Sequence, residues 1–451
     1  MASTNPPLRD LTDRVQNLEV LHRATTLLEA SRSSGGPIPP SNEATDGVEA
    51  EARAAARSRQ RLADAVAAGA GPVHLSVVWA MYGETGRIRP REEHPHGEDF
   101  LRVKTAQLDW LIDGLPGATW SIVAVDDGCP DVPSSAEVMA EVATAEGYPR
   151  SGDGAVRVLR LAEEIGRGRS ISPAFDRLRS ADESRKGGSI LVGLASAVET
   201  GPRRRRAGEG AHVVCYTDAD LSANLAQLGA LTAPVVAGRG AVAGLGQRYG
   251  LAEAVLVKAD GPCSEPSSTG GKPDKAIILF RHMVRALLIP DLAHVLDTQA
   301  GFKAVDAGAL EPVLARMSSF DETFDVELLI HLAQAQAQAG GAAAMAAEPI
   351  VFTEDFAATN FPSVDPGQRH LDMVHQIVDV YDRLVAPVAP ATGEAAALLD
   401  LVRGLSLPAY VRVIERLRAD DDPADTALFD RRWSVDYLSA AAAADLTDTV
   451  D

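Results

Sequence analysis

The stretch VVCYTDADLSANL (213–225) runs β-branched and aromatic residues into two aspartates one residue apart, then turns polar. On an extended strand, residues i and i+2 point to the same side, so Asp218 and Asp220 would present two carboxylates together. Crowded without a counterion they repel, and one takes up a proton. A hard divalent cation, Mg2+ or Mn2+, removes that conflict, and such ions also hold phosphate oxygens and water. Asp218 and Asp220 therefore read as the anchor of a metal–diphosphate. The plainer alternative has Asp220 capping the helix that starts near Asn224, with Asp218 a solvated strand end.

Two further stretches carry chemistry. VAVDDGCPD (123–131) ends a strand in Asp126-Asp127 before a sharp turn at Gly128. Carboxylates there suit a ribose hydroxyl or a base N–H, or simply close an Asx turn. In SRKGGSILVGL (184–194), Lys186 stands where a helix opens, and free N–H groups at a helix start favour anions. A solvated first turn is the bland reading. The segment is not a P-loop, because Gly-x-x-x-x-Gly-Lys-Ser/Thr is absent. The four arginines of GPRRRRAGEG (201–210) would suit an anionic acceptor or a solvated loop. His282, His294 and His331 are lone histidines on helical stretches and read as packed or solvated.

The elements that must position these groups alternate. VHLSVVWA (73–80), WSIVAVDDG (120–128), VRVLRL (156–161), HVVCYTD (212–218) and AVAGLGQR (241–248) are strand-like, and helical periodicity fills the gaps. Repeated β-then-α order predicts a mostly parallel sheet sandwiched by helices, with ligands at the carboxyl ends of the strands. Both aspartate pairs fall at such ends, so they are expected to face one crevice. EPIVFTEDF (348–356) reads as a last strand and a loop.

Residues 1–72 read as a helical extension, with an amphipathic helix over 8–30, a linker at 31–47 and an Ala/Arg/Glu-rich helix over 48–68, for packing on the main domain or homodimer contact, or else for regulation or partner binding. Residues 73–387 form the α/β domain, and 388–451 a helical appendage.

The bulk numbers bound the class. A 451-residue chain with net charge −20 argues against general affinity for nucleic acid or anionic membrane. Cys129, Cys215 and Cys263 stand far apart, as reduced thiols of a cytoplasmic protein would. The N-terminus MASTNPPLRDLTDRV lacks a signal pattern, and no apolar run reaches the ~18 residues of a membrane span.

In order, VDDGCPD, RKGGSILVGL, YTDADLS, GLGQRYG, LFRHMVRALL, LDTQAGFKAV, FDVELL and EPIVFTED resemble the motifs of family-2 glycosyltransferases of the GT-A (Rossmann-like) fold. The resemblance is nearest to the dolichyl-phosphate glucosyltransferase and mannosyltransferase branch and spans about residues 73–387. It implies a metal-dependent inverting transfer of a hexose, glucose from UDP-glucose, to an acceptor. Asp218 and Asp220 would hold Mg2+ or Mn2+. Tyr82, Glu84, Asp126, Asp127, Lys186, Gln299 and Lys303, with Asp218, would bind the nucleotide-sugar.

Arg248 would offset diphosphate charge, and Asp297 belongs to the same Asp-x-Gln-x-Gly-Phe-Lys motif. Asp325 is the first choice of base toward the acceptor and Glu327 the second, with Glu354 and Asp355 a third option. Two other classes fit in part. A sugar-phosphate nucleotidyltransferase would release pyrophosphate, and a non-catalytic nucleotide-sugar binder would need no acceptor-side acid.

Overall fold

A computed structural model describes residues 8–184, 186–202, 210–237, 241–259, 275–338, 344–355, 366–420 and 432–444. Cys263, the loop 260–274 and the arginine run 203–206 lie outside the described residues.

Ten strands are seen among the described residues: β1 (Leu8–Arg9), β2 (Val73–Met81), β3 (Thr119–Asp126), β4 (Ala155–Arg160), β5 (Ala211–Tyr216), β6 (Ala243–Gln247), β7 (Val255–Ala259), β8 (Lys303–Asp306), β9 (Met345–Pro349) and β10 (Val351–Glu354). Seven form the main sheet in the order β4-β3-β2-β5-β8-β6-β9, parallel except that β8 runs against β5 and β6. β1, β7 and β10 form a second, parallel sheet.

The inner strands of the main sheet are buried on both faces, as parallel sheets require, and the edge strands β4 and β9 are half-buried. Leu75, Val77 and Trp79 of β2 pack with Val213 and Cys215 of β5 under helices Phe100–Ile112, Ser135–Ala145 and Leu228–Val236. On the opposite face Val78, Val123, Val125 and Tyr216 meet helices Gly187–Thr200, Lys275–Leu287 and Phe324–Gln338. The mostly parallel α/β architecture expected from the alternating texture is the one observed.

Three details differ from expectation. The 348–356 segment is two strands in different sheets, because the chain passes from β9 to β10 at Ile350. The first residues of the expected N-terminal helix are strand β1, and the helix runs Arg14–Ser34 behind an Asp13 cap. β5 stops at Tyr216, so Asp218 and Asp220 follow the strand instead of sharing one of its sides. The helix Arg14–Ser34 buries Val20, Leu21, Ala24 and Leu28 against helix Gly47–Ala65 and leaves Val15 and Leu18 exposed. Helices Gly393–Gly404 and Leu407–Ala419 pack on Lys275–Leu287 and Pro366–Val380, and Val435–Ala443 packs on Gly393–Gly404 and Leu407–Ala419.

Candidate active site

β3 and β4 lie to one side of β2, and β5 lies to the other. The carboxyl ends of β2 and β5 therefore flank a topological switch point, where the loops diverge and leave a crevice. Tyr82 and Glu84 follow β2, Asp127 follows β3, and Asp218 and Asp220 follow β5.

Asp127 and Asp218 are joined through Lys186. The Lys186 backbone N–H donates to Asp127 Oδ2 at 3.0 Å, and Ser189 Oγ donates to Asp127 Oδ1 at 2.6 Å. The Lys186 ammonium forms an ion pair with Asp218. This geometry needs Lys186 at φ +77°, a left-handed conformation that a residue with a Cβ adopts at a cost. Burial alone would raise the Asp218 pKa, but Lys186 beside it holds the carboxyl below its usual value. Burial raises that of Asp127.

Asp126, its neighbour, is committed to the turn. Its Oδ1 accepts from Gly128 and Cys129 N–H at 3.0 and 2.9 Å, and its Oδ2 from Ala136 N–H at 2.9 Å, at the start of helix Ser135–Ala145. Tyr82 is exposed, and Gln299 is half-buried in the turn before Gly301.

Three site residues carried no motif. Glu98 is buried and accepts from Leu221 N–H at 2.8 Å, just past Asp220. Lys104 is buried and donates to the Asp218 carbonyl oxygen at 3.2 Å. Arg87 reaches Glu84 at 3.3 Å, Glu98 at 3.4 Å and Asp220 at 3.8 Å. Burial, with Asp220 adding repulsion, pushes the Glu98 pKa up to about 8; burial pushes that of Glu84 up to about 7 and that of the Lys104 ammonium down to about 8.

Sequence offered a signal for Lys104. It falls in the apolar stripe Leu101, Lys104, Leu108, Leu111, where a solvated lysine has no place.

The chemistry of this edge fits a divalent cation. Among the described residues no three His, Cys, Asp or Glu side chains are set to hold a metal by themselves. A cation on Asp218 and Asp220 would thus need oxygens from a ligand or water, which is how Mg2+ is commonly bound. Both aspartates already attract cationic side chains, Lys186 and Arg87, and the nearby Glu84 and Glu98 add acid that those cations must offset.

The other wall is built by residues 297–303 and helix Phe324–Gln338. Gly301 approaches Asp218 so closely that a Cβ there would lie 3.0 Å from its Oδ1. Lys303 is buried; it donates to the Ala300 carbonyl at 2.6 Å and to Asp325 Oδ1 at 3.1 Å, and Tyr216 OH donates to the same oxygen. Asp325 is therefore fixed in orientation beside the acidic edge.

Glu327 points elsewhere. Ser318 N–H and Oγ donate to it at 2.6 Å, and His331 and Arg383 lie at 3.3 and 3.4 Å. Burial would raise its pKa, but the His331 and serine hydrogen bonds hold it down at about 2. That places Glu327 in a tie between helices.

Arg248 is clamped to Asp297, with Nε at 2.7 Å from Oδ2 and Nη2 at 3.1 Å from Oδ1, and Arg281 adds a second guanidinium at 2.9 Å. Burial opposes ionisation of Asp297, but Arg248 and Arg281 hold its carboxyl far below the usual range. Gln247 Oε1 accepts from Leu296 and Asp297 N–H at 2.8 Å each and sets the turn. Glu354 ends β10 half-buried, and Asp355 contributes to the field at Arg87.

The histidines have packing roles. His282 stacks edge-on to Trp433, and His294 contacts the Met345 carbonyl at 2.9 Å. Cys129 and Cys215 are free thiols, and no helix of the described residues is long and apolar enough to cross a membrane.

A mostly parallel α/β fold with an acidic crevice at its switch point is thus the class to which the chain belongs. No protein-family model matches it, and no curated protein sequence does. Among solved structures it is similar to glucosyl-3-phosphoglycerate synthase from Mycobacterium tuberculosis in complex with Mn2+, uridine diphosphate and glucosyl-3-phosphoglycerate. There the identity is 17%, the match covers 72% of this chain and 84% of that one, and the TM-score is 0.41. The same enzyme with Mg2+ and uridine diphosphate gives 17%, 72%, 83% and 0.40. Likenesses at that level bear no weight for the chemistry, which rests on the geometry above.

Proposed function

We propose that the chain is a metal-dependent inverting glycosyltransferase of the GT-A type, moving a hexose, glucose from UDP-glucose, to an acceptor nucleophile. The observation that carries this reading is the apposition, across Gly301, of the acidic edge Asp218–Asp220 with the oriented carboxylate Asp325. One side suits a metal–diphosphate, and the other suits an acceptor.

A cation on Asp218 and Asp220, Mg2+ or Mn2+, supplies positive charge to a departing diphosphate. Lys186 adds an ammonium beside the same carboxylate, and Arg248, steadied by Asp297, adds a guanidinium nearby. Glu84, Asp127 and Gln299, with Tyr82, line the approach for the nucleoside. Asp325 takes the proton of an acceptor hydroxyl on the far face of the sugar. The donor's identity and kinship to the dolichyl-phosphate branch belong to the same proposal, as does a homodimer contact through the exposed Val15 and Leu18 side of the N-terminal helix.

The test is a thermal-shift screen of nucleotide-sugars with Mn2+, followed by assay of nucleoside diphosphate release. UDP-glucose with Mn2+ is expected to raise the melting midpoint. Asp220→Asn should abolish metal-dependent turnover with the fold intact, and Asp325→Asn should keep donor binding yet lose about 10²–10⁴-fold in turnover. Full activity in Asp220→Asn would refute the reading. Pyrophosphate release from a nucleoside triphosphate and a sugar phosphate would instead establish a nucleotidyltransferase.

A further inference from the structure

The opposite end of the main sheet holds a cavity of mixed polar and apolar lining that the proposed reaction does not use. It has a volume of about 500 Å³, within the range of small-ligand sites, and its wall includes His74, Ser121, Arg150, Asp153, Arg157 and Thr200. His74 is the second residue of β2, and Met81 ends it, so the cavity lies about 23 Å of strand from the acidic crevice at ~3.3 Å per residue.

The sheet face under helix Gly187–Thr200 changes character here. Its upper rungs are Val78, Val123, Val125 and Tyr216. Its lowest rungs are polar and linked. His74 Nδ1 lies 2.8 Å from Thr119 Oγ1 and its Nε2 3.0 Å from Ser121 Oγ. Ser76 Oγ lies 3.1 Å from Ser121 Oγ and 2.9 Å from His212 Nε2. A face needed only for packing would continue the valines.

Arg157 stands in register with Val123, so it shares this face, and its Nη1 is buried with no hydrogen-bond partner. Arg157 also lines the cavity wall, where a guanidinium is a ready donor to an oxyanion. Arg150 adds a second cation at the exposed lip, and Asp153 one opposing carboxylate. Among the described residues that balance admits one phosphate and disfavours a diphosphate, while the hydrogen-bonded wall of His74, Ser121 and Thr200 suits a polar remainder of the ligand over an apolar one.

We propose that this cavity is a second binding site, taking a small hydroxylated phosphate monoester whose phosphate meets Arg157 and Arg150. The site is independent of the crevice at the other end of the strands and stands whether or not the chain transfers sugar.

The test is isothermal titration of the full chain, without metal and at constant ionic strength, with inorganic phosphate and with glycerol 2-phosphate. Saturable one-site binding is expected, tighter for the ester. Arg157→Gln and Arg150→Gln should each weaken it about tenfold or more, since a hydrogen bond to a charged group is worth roughly that factor. Lys186→Met, in the acidic crevice, should leave it unchanged. Arg150 is exposed, so its substitution keeps the test valid should Arg157→Gln fail to fold. The proposal is overturned by absence of saturation below ~10 mM, on the order of 3 kcal/mol or less of binding free energy. It is equally overturned by wild-type affinity in Arg150→Gln, or by loss of binding in Lys186→Met alone.

Discussion

Glu98 is the residue through which the acidic edge should be felt in bulk measurements. Its carboxyl is pushed up to about 8 by burial, with Asp220 adding repulsion, whereas an unfolded glutamate titrates near 4.5. Between those values the folded chain binds more protons than the unfolded one, so stability falls as pH rises. Glu84, at about 7, acts in the same direction. The contribution is therefore present below about 4.5 and is lost on the way to about 8. A divalent cation competes with those protons, so its stabilisation should grow over the same span. Melting curves of the metal-free protein from pH 5 to pH 8 are expected to slope downward, with Mn2+ giving its larger shift at pH 8. Glu98→Gln should flatten that slope; an unchanged slope in the variant would mean that Glu98 does not titrate in this window.

At the scale of elements, the start of helix Gly187–Thr200 sets the Lys186 geometry, and its tolerance is small. A Cβ on Gly187 would fall 2.4 Å from the Phe320 carbonyl oxygen, a backbone atom that cannot step aside. Gly187→Ala is expected to cost about 1–3 kcal/mol, as overpacking does, and to weaken nucleotide-sugar binding by shifting Lys186. Gly166→Ala meets nothing within 4 Å and should be neutral or stabilising by up to ~1 kcal/mol. Denaturant unfolding of the two variants measures the contrast.

The same elements show what sequence could disclose. β2 to β5 are short runs rich in β-branched residues between helical stretches, a texture that can be read locally. β1 has two residues, too few for a period to show, and β7, VLVKA, is a five-residue run too short for periodicity alone to assign. The motifs led to Asp218, Lys186 and Asp325, whereas Glu98, Lys104 and Arg87 come from covering helices and a loop where charge ordinarily means solvent. Glu327 followed Asp325 in the motif but turns to the opposite side of its helix.

For the whole molecule, the N-terminal residues are joined to the site by buried polar contacts. Arg9 of β1 pairs with Glu51 and donates to Asn17, all three buried. Glu51 also accepts from Asn224 Nδ2 and Thr353 Oγ1, each at 3.1 Å. Asn224 caps the turn that follows Asp220, and Gln227 exchanges two hydrogen bonds of 2.8 Å with Val351 of β10. The segment carrying the paired aspartates is thus stitched to the second sheet, whose other edge is β1. Arg9→Met would leave Glu51 buried beside polar groups without its cation, at a cost of about 3–5 kcal/mol. Arg9→Met with Glu51→Met removes both charges and should recover part of that loss, although Asn224 and Thr353 then lack their acceptor. Urea unfolding of the cycle measures the coupling, and the single Arg9→Met variant should also bind Mn2+ more weakly in the presence of uridine diphosphate. Additive effects of the two substitutions would show that Arg9 and Glu51 are not coupled, and unchanged Mn2+ binding in Arg9→Met would show that nothing is transmitted to Asp218 and Asp220.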